Sequence, residues 1–324
     1  VIRYIIRRLI QAVPLLLVIS VLTFGIVEIA PGDAAQMYID PERGTDPAYI
    51  AQIRENLGLD QPVHVRYLAW LGKTLSGDWG FSFRSRRAVT LEVGDRLPNT
   101  LLLGGSALAL SFALAVPMGA ISAIKRYTII DYAVTTLSLV GISVPIFWVA
   151  LVFIQVFAIQ LDWFPASGMR SVRQQYTGWQ SVFDVLHHMI LPTIVLALAQ
   201  IASWSRYQRS ALLDVLGQDY IRTARGKGVH ERRVIILHAL RNALIPMITI
   251  VGISVPSVVT GAFLTETIFS WPGIGRLGVD AVSGRDYPVI MAVTMLSAAL
   301  IVISSLLADI AYAWADPRIR YEQR

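Results

Sequence analysis

The densest run of chemically capable side chains in this sequence is basic and lies between two apolar stretches. It reads Asp219-Tyr220-Ile221-Arg222-Thr223-Ala224-Arg225-Gly226-Lys227-Gly228 and continues to Arg241-Asn242. Tyr220, Ile221 and Ala224 recur at helical spacing, and Gly226 and Gly228 break the pattern. It resumes from His230 to Arg241 with Val234, Leu237 and Leu240 on one face. Two short amphipathic helices around a glycine turn are therefore expected. Arg222, Arg225 and Gly228, in the middle of the segment, suit a docking helix for a soluble protein. Arg206, Arg209 and Arg241, beside apolar stretches, read instead as anchors attracted to anionic lipid.

Other constellations are weaker. Gly273-Ile274-Gly275-Arg276-Leu277-Gly278 matches the dinucleotide fingerprint in form, but that fingerprint needs a preceding strand. Trp271-Pro272 precedes it here, so a tight turn or re-entrant element is expected. No Gly-x-x-x-x-Gly-Lys-[Ser/Thr] is present, which leaves no P-loop to cradle a nucleotide phosphate. The five histidines form no His-Glu-x-x-His, and adjacent His187 and His188 point to different helix faces, which suits a metal poorly. With 0 Cys there is no disulfide framework and no thiolate metal or redox site. No serine or cysteine nucleophile pairs with a histidine at obvious spacing, so a membrane hydrolase is disfavoured. Glu28, Glu266 and Asp309 stand within or at the ends of apolar stretches, where ionisable groups are costly and often functional.

The elements that must position these residues are membrane helices. The 324 residues are 55% hydrophobic and only 15% charged, against about 25% charged in soluble domains. Six apolar stretches are long enough to span the hydrocarbon layer, near Leu9–Ala30, Asn99–Ile124, Ala133–Leu161, Met189–Trp204, Ala243–Phe269 and Val289–Trp314. The fourth is the shortest. Pro117, Pro145, Pro192 and Pro256 fall inside spans and are expected to kink them. The first stretch is too long for a signal-peptide core and lacks a small-residue cleavage site, so it reads as a transmembrane helix.

Basic residues set the expected orientation. With a cytoplasmic N-terminus, the inner segments hold 16 Lys and Arg in 64 positions. The two short outer segments hold 4 in 46, which places both termini in the cytoplasm. The net charge of +6 thus reflects membrane topology, and nucleic acid is not expected as a partner. The long first outer loop, 31–98, reads as a small folded element. Asp46 and Pro47 open one helix, with Ile50, Ile53 and Leu57 on a shared face and Gly58 as its stop. A second helix runs from Pro62 to Leu75, with Val65, Leu68, Ala69 and Leu75 on its apolar side, and Ser76–Gly80 makes a turn.

Taken together these motifs resemble a family. Tyr220 to Gly228, with His238-Ala239-Leu240-Arg241-Asn242-Ala243-Leu244-Ile245-Pro246 after it, resembles the cytoplasmic coupling loop of ABC-importer permeases of the dipeptide, oligopeptide and nickel branch. The general Glu-Ala-Ala-x-x-x-Gly motif of such permeases falls on Arg222-Thr223-Ala224 and Gly228, with Arg222 departing from the glutamate. Arg3-Tyr4 to Arg7-Arg8, Ala30-Pro31-Gly32-Asp33 and Leu97-Pro98-Asn99-Thr100-Leu101 are similar to the first helix, its exit and the start of the second. Ser143-Val144-Pro145-Ile146-Phe147-Trp148, Trp163 to Gly168, Glu266 to Arg276 and Asp316 to Arg320 extend the match to nearly the whole chain.

The resemblance implies an all-α integral membrane protein, the six-helix transmembrane domain of a type I ABC importer with a cytoplasmic coupling helix. Residues 1–30 form the N-terminal end and first span, 31–98 an external loop subdomain, and 99–324 a five-helix permease core that includes the coupling loop 205–242. It implies a non-catalytic subunit of a bacterial or archaeal inner membrane, forming half of a pore with a second, homologous permease. Two cytoplasmic ATPases and an external solute-binding protein complete the assembly, with ATP and magnesium on the ATPase chains and no cofactor on this one. Asp219, Tyr220, Arg222, Thr223, Ala224, Arg225 and Gly228 are the ATPase-coupling candidates. Glu28, Glu266, Trp271 and Arg276 are candidates for an outer gate or substrate path. Short peptides are the expected cargo, with nickel, glutathione-like compounds and oligosaccharides as alternatives. A competing class, a secondary transporter driven by an ion gradient, calls for midplane ionisable relays or inverted repeats, and neither stands out.

Overall fold

The computed structural model describes residues 2–29, 55, 60–172, 174 and 176–315, with the side chains at 2–5, 9, 257–261 and 309–315 left aside. The Ala30–Asp33 exit, most of the expected 46–58 helix, the Asp309 carboxylate and the 316–320 motif lie outside the described residues. Helices account for most of the described residues. The order is α1 (Ile2–Ile29), α2 (Val63–Leu75), α3 (Val89–Ile124), α4 (Ile129–Ser143), α5 (Ile146–Phe153), α6 (Trp179–Leu216), α7 (Asp219–Gly226), α8 (Arg241–Ile268), α9 (Ile274–Ser283) and α10 (Tyr287–Ala315). A π-helical turn, Ile154–Gln160, extends α5, and another, Val234–Leu240, leads into α8.

The expected third span is not continuous. Proline disfavours the helical conformation in the residue before it. Val144, ahead of Pro145, is accordingly extended (φ −87°, ψ 129°), and the helices on either side meet at a 102° bend. The pair still crosses the membrane once, and two contacts show it. Asp131, at the start of α4, pairs with Arg209, in the last quarter of α6, at 2.6 Å. Trp163, just past the π-turn, accepts at its backbone oxygen from the imidazole Nε2 of His187, near the start of α6, at 3.0 Å. A backbone oxygen only accepts, so His187 is the donor. One end of the bent pair therefore meets one end of α6, and the other end meets the other. With the bent pair as one span, the described residues hold six, α1, α3, the bent pair, α6, α8 and α10.

The fourth span, expected to be the shortest, is the longest helix. The polar residues flanking 189–204 contain no breaker before Gly217, so α6 runs for 38 residues, roughly 57 Å at 1.5 Å per residue. That exceeds the hydrocarbon thickness of about 30 Å, and the helix carries α7 clear of the membrane. Its partner is α3. Ala107, Ser111, Ala115 and Gly119, spaced four apart on α3, are buried and let the two backbones approach closely. A Cβ built on Gly119 would lie 2.4 Å from the Ser205 carbonyl oxygen.

Helix α2 forms as expected, with Pro62 preceding its first residue, but it turns a different face inward. Val65, Leu68, Ala69 and Leu75 are exposed, while Tyr67 and Trp70 pack on Phe24 of α1 at 5.6 and 5.9 Å between ring centroids. The phenol of Tyr67 also shares a 2.8 Å hydrogen bond with Ser20. Aromatic rings with polar tips gave this helix better anchors than its aliphatic side chains.

Candidate docking hairpin and outer loop cluster

The hairpin is built from Ile221 upward. This side chain is fully buried among Ala120, Ala123, Leu212, Val234, Ala239 and Ala243, which come from α3, α6 and the chain entering α8. Burial of one isoleucine is worth about 1.5–3 kcal/mol. Ala224, one turn on, packs at the edge of the same cluster. Asp219, Tyr220, Arg222, Thr223 and Arg225 then point away from it and are exposed. Gly226 does not break the helix; it is its last residue. The break falls at Gly228, whose φ of +74° lies in the left-handed region that glycine adopts without a Cβ penalty. Amide-to-carbonyl bonds from Lys227 to Thr223 (3.0 Å) and from Val229 to Ala224 (3.2 Å) close the helix end.

Two polar contacts brace the hairpin. The Arg225 guanidinium pairs with Glu231 at 2.7 Å across the turn. Asn242 donates to the Tyr220 phenol at 3.1 Å and to the His238 carbonyl at 2.8 Å, tying α7 to the first turn of α8. Thr223 donates to the Asp219 carbonyl at 2.9 Å, while Arg222 makes only a long, exposed contact of 3.4 Å to Asp219. The expected face Val234, Leu237 and Leu240 is revised. In the π-turn, residues five apart align, so Val234 and Ala239 are buried and Leu237 is 57% exposed.

At the opposite end of the bundle, Glu266 is 0% exposed. One carboxylate oxygen accepts from the Thr100 hydroxyl at 2.6 Å, and the other accepts from the Arg276 amide at 3.1 Å. Thr100 Oγ1 accepts in turn from the Ile274 amide at 2.8 Å. The first amides of α9, unpaired within their own helix, are thus satisfied by α3 and α8 rather than by Gly273, which has no side chain to cap them. Trp271 is fully buried, and its indole donates to the Asn99 carbonyl at 3.0 Å. Asn99 donates back to Pro272 at 2.8 Å, and Arg276 donates to the Ser270 carbonyl at 2.7 Å. The glycines of the Gly-x-Gly-x-x-Gly run answer to packing. A Cβ on Gly273 would lie 2.2 Å from the Glu266 carboxylate, and one on Gly275 would lie 2.7 Å from the Phe263 Cα.

Glu28 stands apart from this cluster and makes a two-pronged ion pair with Arg66 of α2 at 2.6–2.7 Å. His187 and His188 belong to the loop anchor beyond the bent span, with His188 3.4 Å from Asp184, itself bonded to Ser171. No group of metal-ligating side chains occurs among the described residues. One buried acid was missed in the sequence. Asp131, 3% exposed, accepts from Arg209, from Ser122 at 2.5 Å and from the Tyr127 amide at 3.0 Å. Arg209 is thus an ion-pair residue rather than a lipid anchor, and an aspartate directly after Ile129-Ile130, at the edge of an apolar run, was the signal for it.

Two family models cover the chain. The model described as binding-protein-dependent transport system inner membrane component matches residues 115–321, and its N-terminal companion matches residues 1–104. The chain belongs to this family, the inner-membrane permeases of binding-protein-dependent ABC importers. It is 46% identical to the oligopeptide transport system permease protein AppB of Bacillus subtilis (strain 168), over 98% of this chain and 99% of that protein. It is 40% identical to the dipeptide transport system permease protein DppB of Escherichia coli (strain K12), over 99% of both. The glutathione transport system permease protein GsiC of Salmonella choleraesuis (strain SC-B67) is 38% identical over 98% of the chain. The protein is therefore a multi-pass, non-catalytic transport component of the inner membrane that works with an ATPase and a solute-binding protein.

Proposed function

We propose that this chain imports di- and oligopeptides as one half of a pore, the other half being a second permease of related but different sequence. Both termini lie in the cytoplasm, ATP and magnesium are held by two partner ATPases, and α7 docks on one of them. The binding protein meets the outer face, where the Glu266–Trp271–Arg276 cluster and Glu28 border the gate. When the ATPases close on ATP, α7 moves with them. Ile221 and the Tyr220–Asn242 bond pass the motion to α6 and α8, closing the inner gate and opening the outer one.

The observation that carries this reading is α7 itself, an exposed polar helix pinned by one buried isoleucine at the end of a helix longer than the membrane is thick. The peptide cargo rests on the names of the relatives at 46% and 40% identity. The test is uptake into proteoliposomes containing the assembled importer, with ATP inside and peptide-loaded binding protein outside. Replacing residues 222–225 by Gly and Ser should abolish uptake while the pore subunits still assemble. Uptake that continues unchanged, or that survives ATP depletion and collapses with an uncoupler, would overturn the reading. Competition by dipeptides but not by glutathione separates the two cargo classes.

A further inference from the structure

A cavity of ≈ 710 Å³ opens between α4 and the part of α6 that leads to the hairpin. Its α6 wall carries two cations of different standing. Arg209 is held by both oxygens of Asp131 at 2.6 and 2.8 Å and has no charge to spare. Arg206, three residues earlier and exposed, has no acidic partner among the described residues. Around it stand the hydroxyls of Tyr132, Thr135, Ser203, Tyr207 and Ser210, none of which bonds another described residue. Lys125 and Arg126 occupy the adjoining turn, with Arg126 stacked 4.4 Å from the centre of the Tyr127 ring. Below this polar chamber, α4 presents a bare apolar flank, with Leu137 65% and Val140 52% exposed.

We propose that this cavity holds the phosphate headgroup of an anionic phospholipid from the leaflet on the hairpin side, which is the inner leaflet in the orientation given above. A guanidinium with no acidic partner among the described residues, and several hydroxyl donors, match the oxygens of a phosphodiester. The volume lies within the range of small-molecule sites, and basic pockets between spans are where such headgroups are recognised. The apolar flank of α4 supplies the surface for the acyl chains. A covering protein helix would need an acid facing Arg206, whereas a lipid brings its own negative charge. The bound headgroup would lie against α6 about two and a half to four and a half turns before α7, so it would set the resting position of the lever that carries the hairpin.

The test uses the assembled importer with the full-length chain, placed in nanodiscs of phosphatidylcholine mixed with phosphatidylglycerol and then analysed by native mass spectrometry. The wild type should retain phosphatidylglycerol, and Arg206→Gln should lower that retention about fivefold, as expected for losing one basic residue facing an anionic lipid. Arg233→Gln removes the same charge from the hairpin, away from the cavity, and should leave retention unchanged. Co-purification of the ATPases shows that each variant is assembled and keeps failure of this site distinct from failure of the coupling reading. A photo-reactive side chain at Tyr207 should yield a lipid adduct. Equal loss in both variants, a wild type without retained phosphatidylglycerol, or a protein adduct at Tyr207 would each overturn the proposal.

Discussion

At the residue scale, small side chains decide more than charged ones. The α3–α6 contact exists because Gly119 lets the Ser205 carbonyl sit where a Cβ would be, 2.4 Å away. The atom in the way is backbone, so it cannot rotate aside. Gly119→Ala must push the two helices apart, and overpacking of this kind costs about 1–3 kcal/mol. Gly105, on the same helix, has nothing within 4 Å of a built Cβ. Gly105→Ala should be neutral or slightly stabilising, because alanine is the better helix former by about 1 kcal/mol. Thermal unfolding of the detergent-purified chain, followed by intrinsic fluorescence, should show a lower midpoint for Gly119→Ala and none for Gly105→Ala. Equal midpoints would mean that α3 and α6 are not in close contact. Gly273 and Gly275 obey the same logic at the outer end, and the formal nucleotide fingerprint dissolves into two close approaches to α8.

At the element scale, the hairpin behaves as one lever with a single hydrophobic pin. Ile221→Asn would put an amide into an apolar cluster with no partner, at a cost of several kcal/mol where burial is complete. Replacing Arg225 by Ala removes only a partly exposed ion pair, worth about 0–1 kcal/mol. Site-specific proteolysis of the 217–230 segment in the purified chain should therefore speed up markedly for Ile221→Asn and little for Arg225→Ala. Similar rates for the two would show that Ile221 is not the pin. Much of this element was legible beforehand, since the period of Tyr220, Ile221 and Ala224 and the glycine stop were local features. The π-turn at Val234–Leu240 was not, because its register comes from fitting Val234 and Ala239 into a shared cluster, and a 3.6-residue period then misplaces Leu237. The inward face of α2 was hidden for a related reason. Tyr67 and Trp70 count as weakly apolar in a pattern, yet a ring edge on Phe24 and a hydroxyl on Ser20 make them the better anchors. The Glu266 cluster likewise needs Thr100, which lies 166 residues away and gives no local signal.

At the scale of the whole molecule, the issue is how many times the chain crosses the membrane. Composition alone allows five helices, or six spans if the bent pair counts as one. The two counts place α7 on opposite sides relative to α1. The Asp131–Arg209 pair and the His187–Trp163 contact require the bent pair to join the two ends of α6, which puts α7 on the side of the α3–α4 turn. The sequence has 0 Cys, so single cysteines report without background. Cysteines placed at Arg126 and Arg222 should resist a membrane-impermeant maleimide in intact cells and react once the membrane is opened. A cysteine at Asp162, beyond the π-turn, should react in intact cells. If Asp162 and Arg126 share one accessibility, the bent pair is a re-entrant loop, the chain crosses five times, and α7 does not face the side on which an ATPase could reach it. If the sides alternate as expected, one continuous α6 joins a loop anchored outside by His187 and Asp184 to a hairpin pinned inside by Ile221. Motion at the hairpin then has one unbroken helix, with Pro192 inside it, along which to reach the outer face.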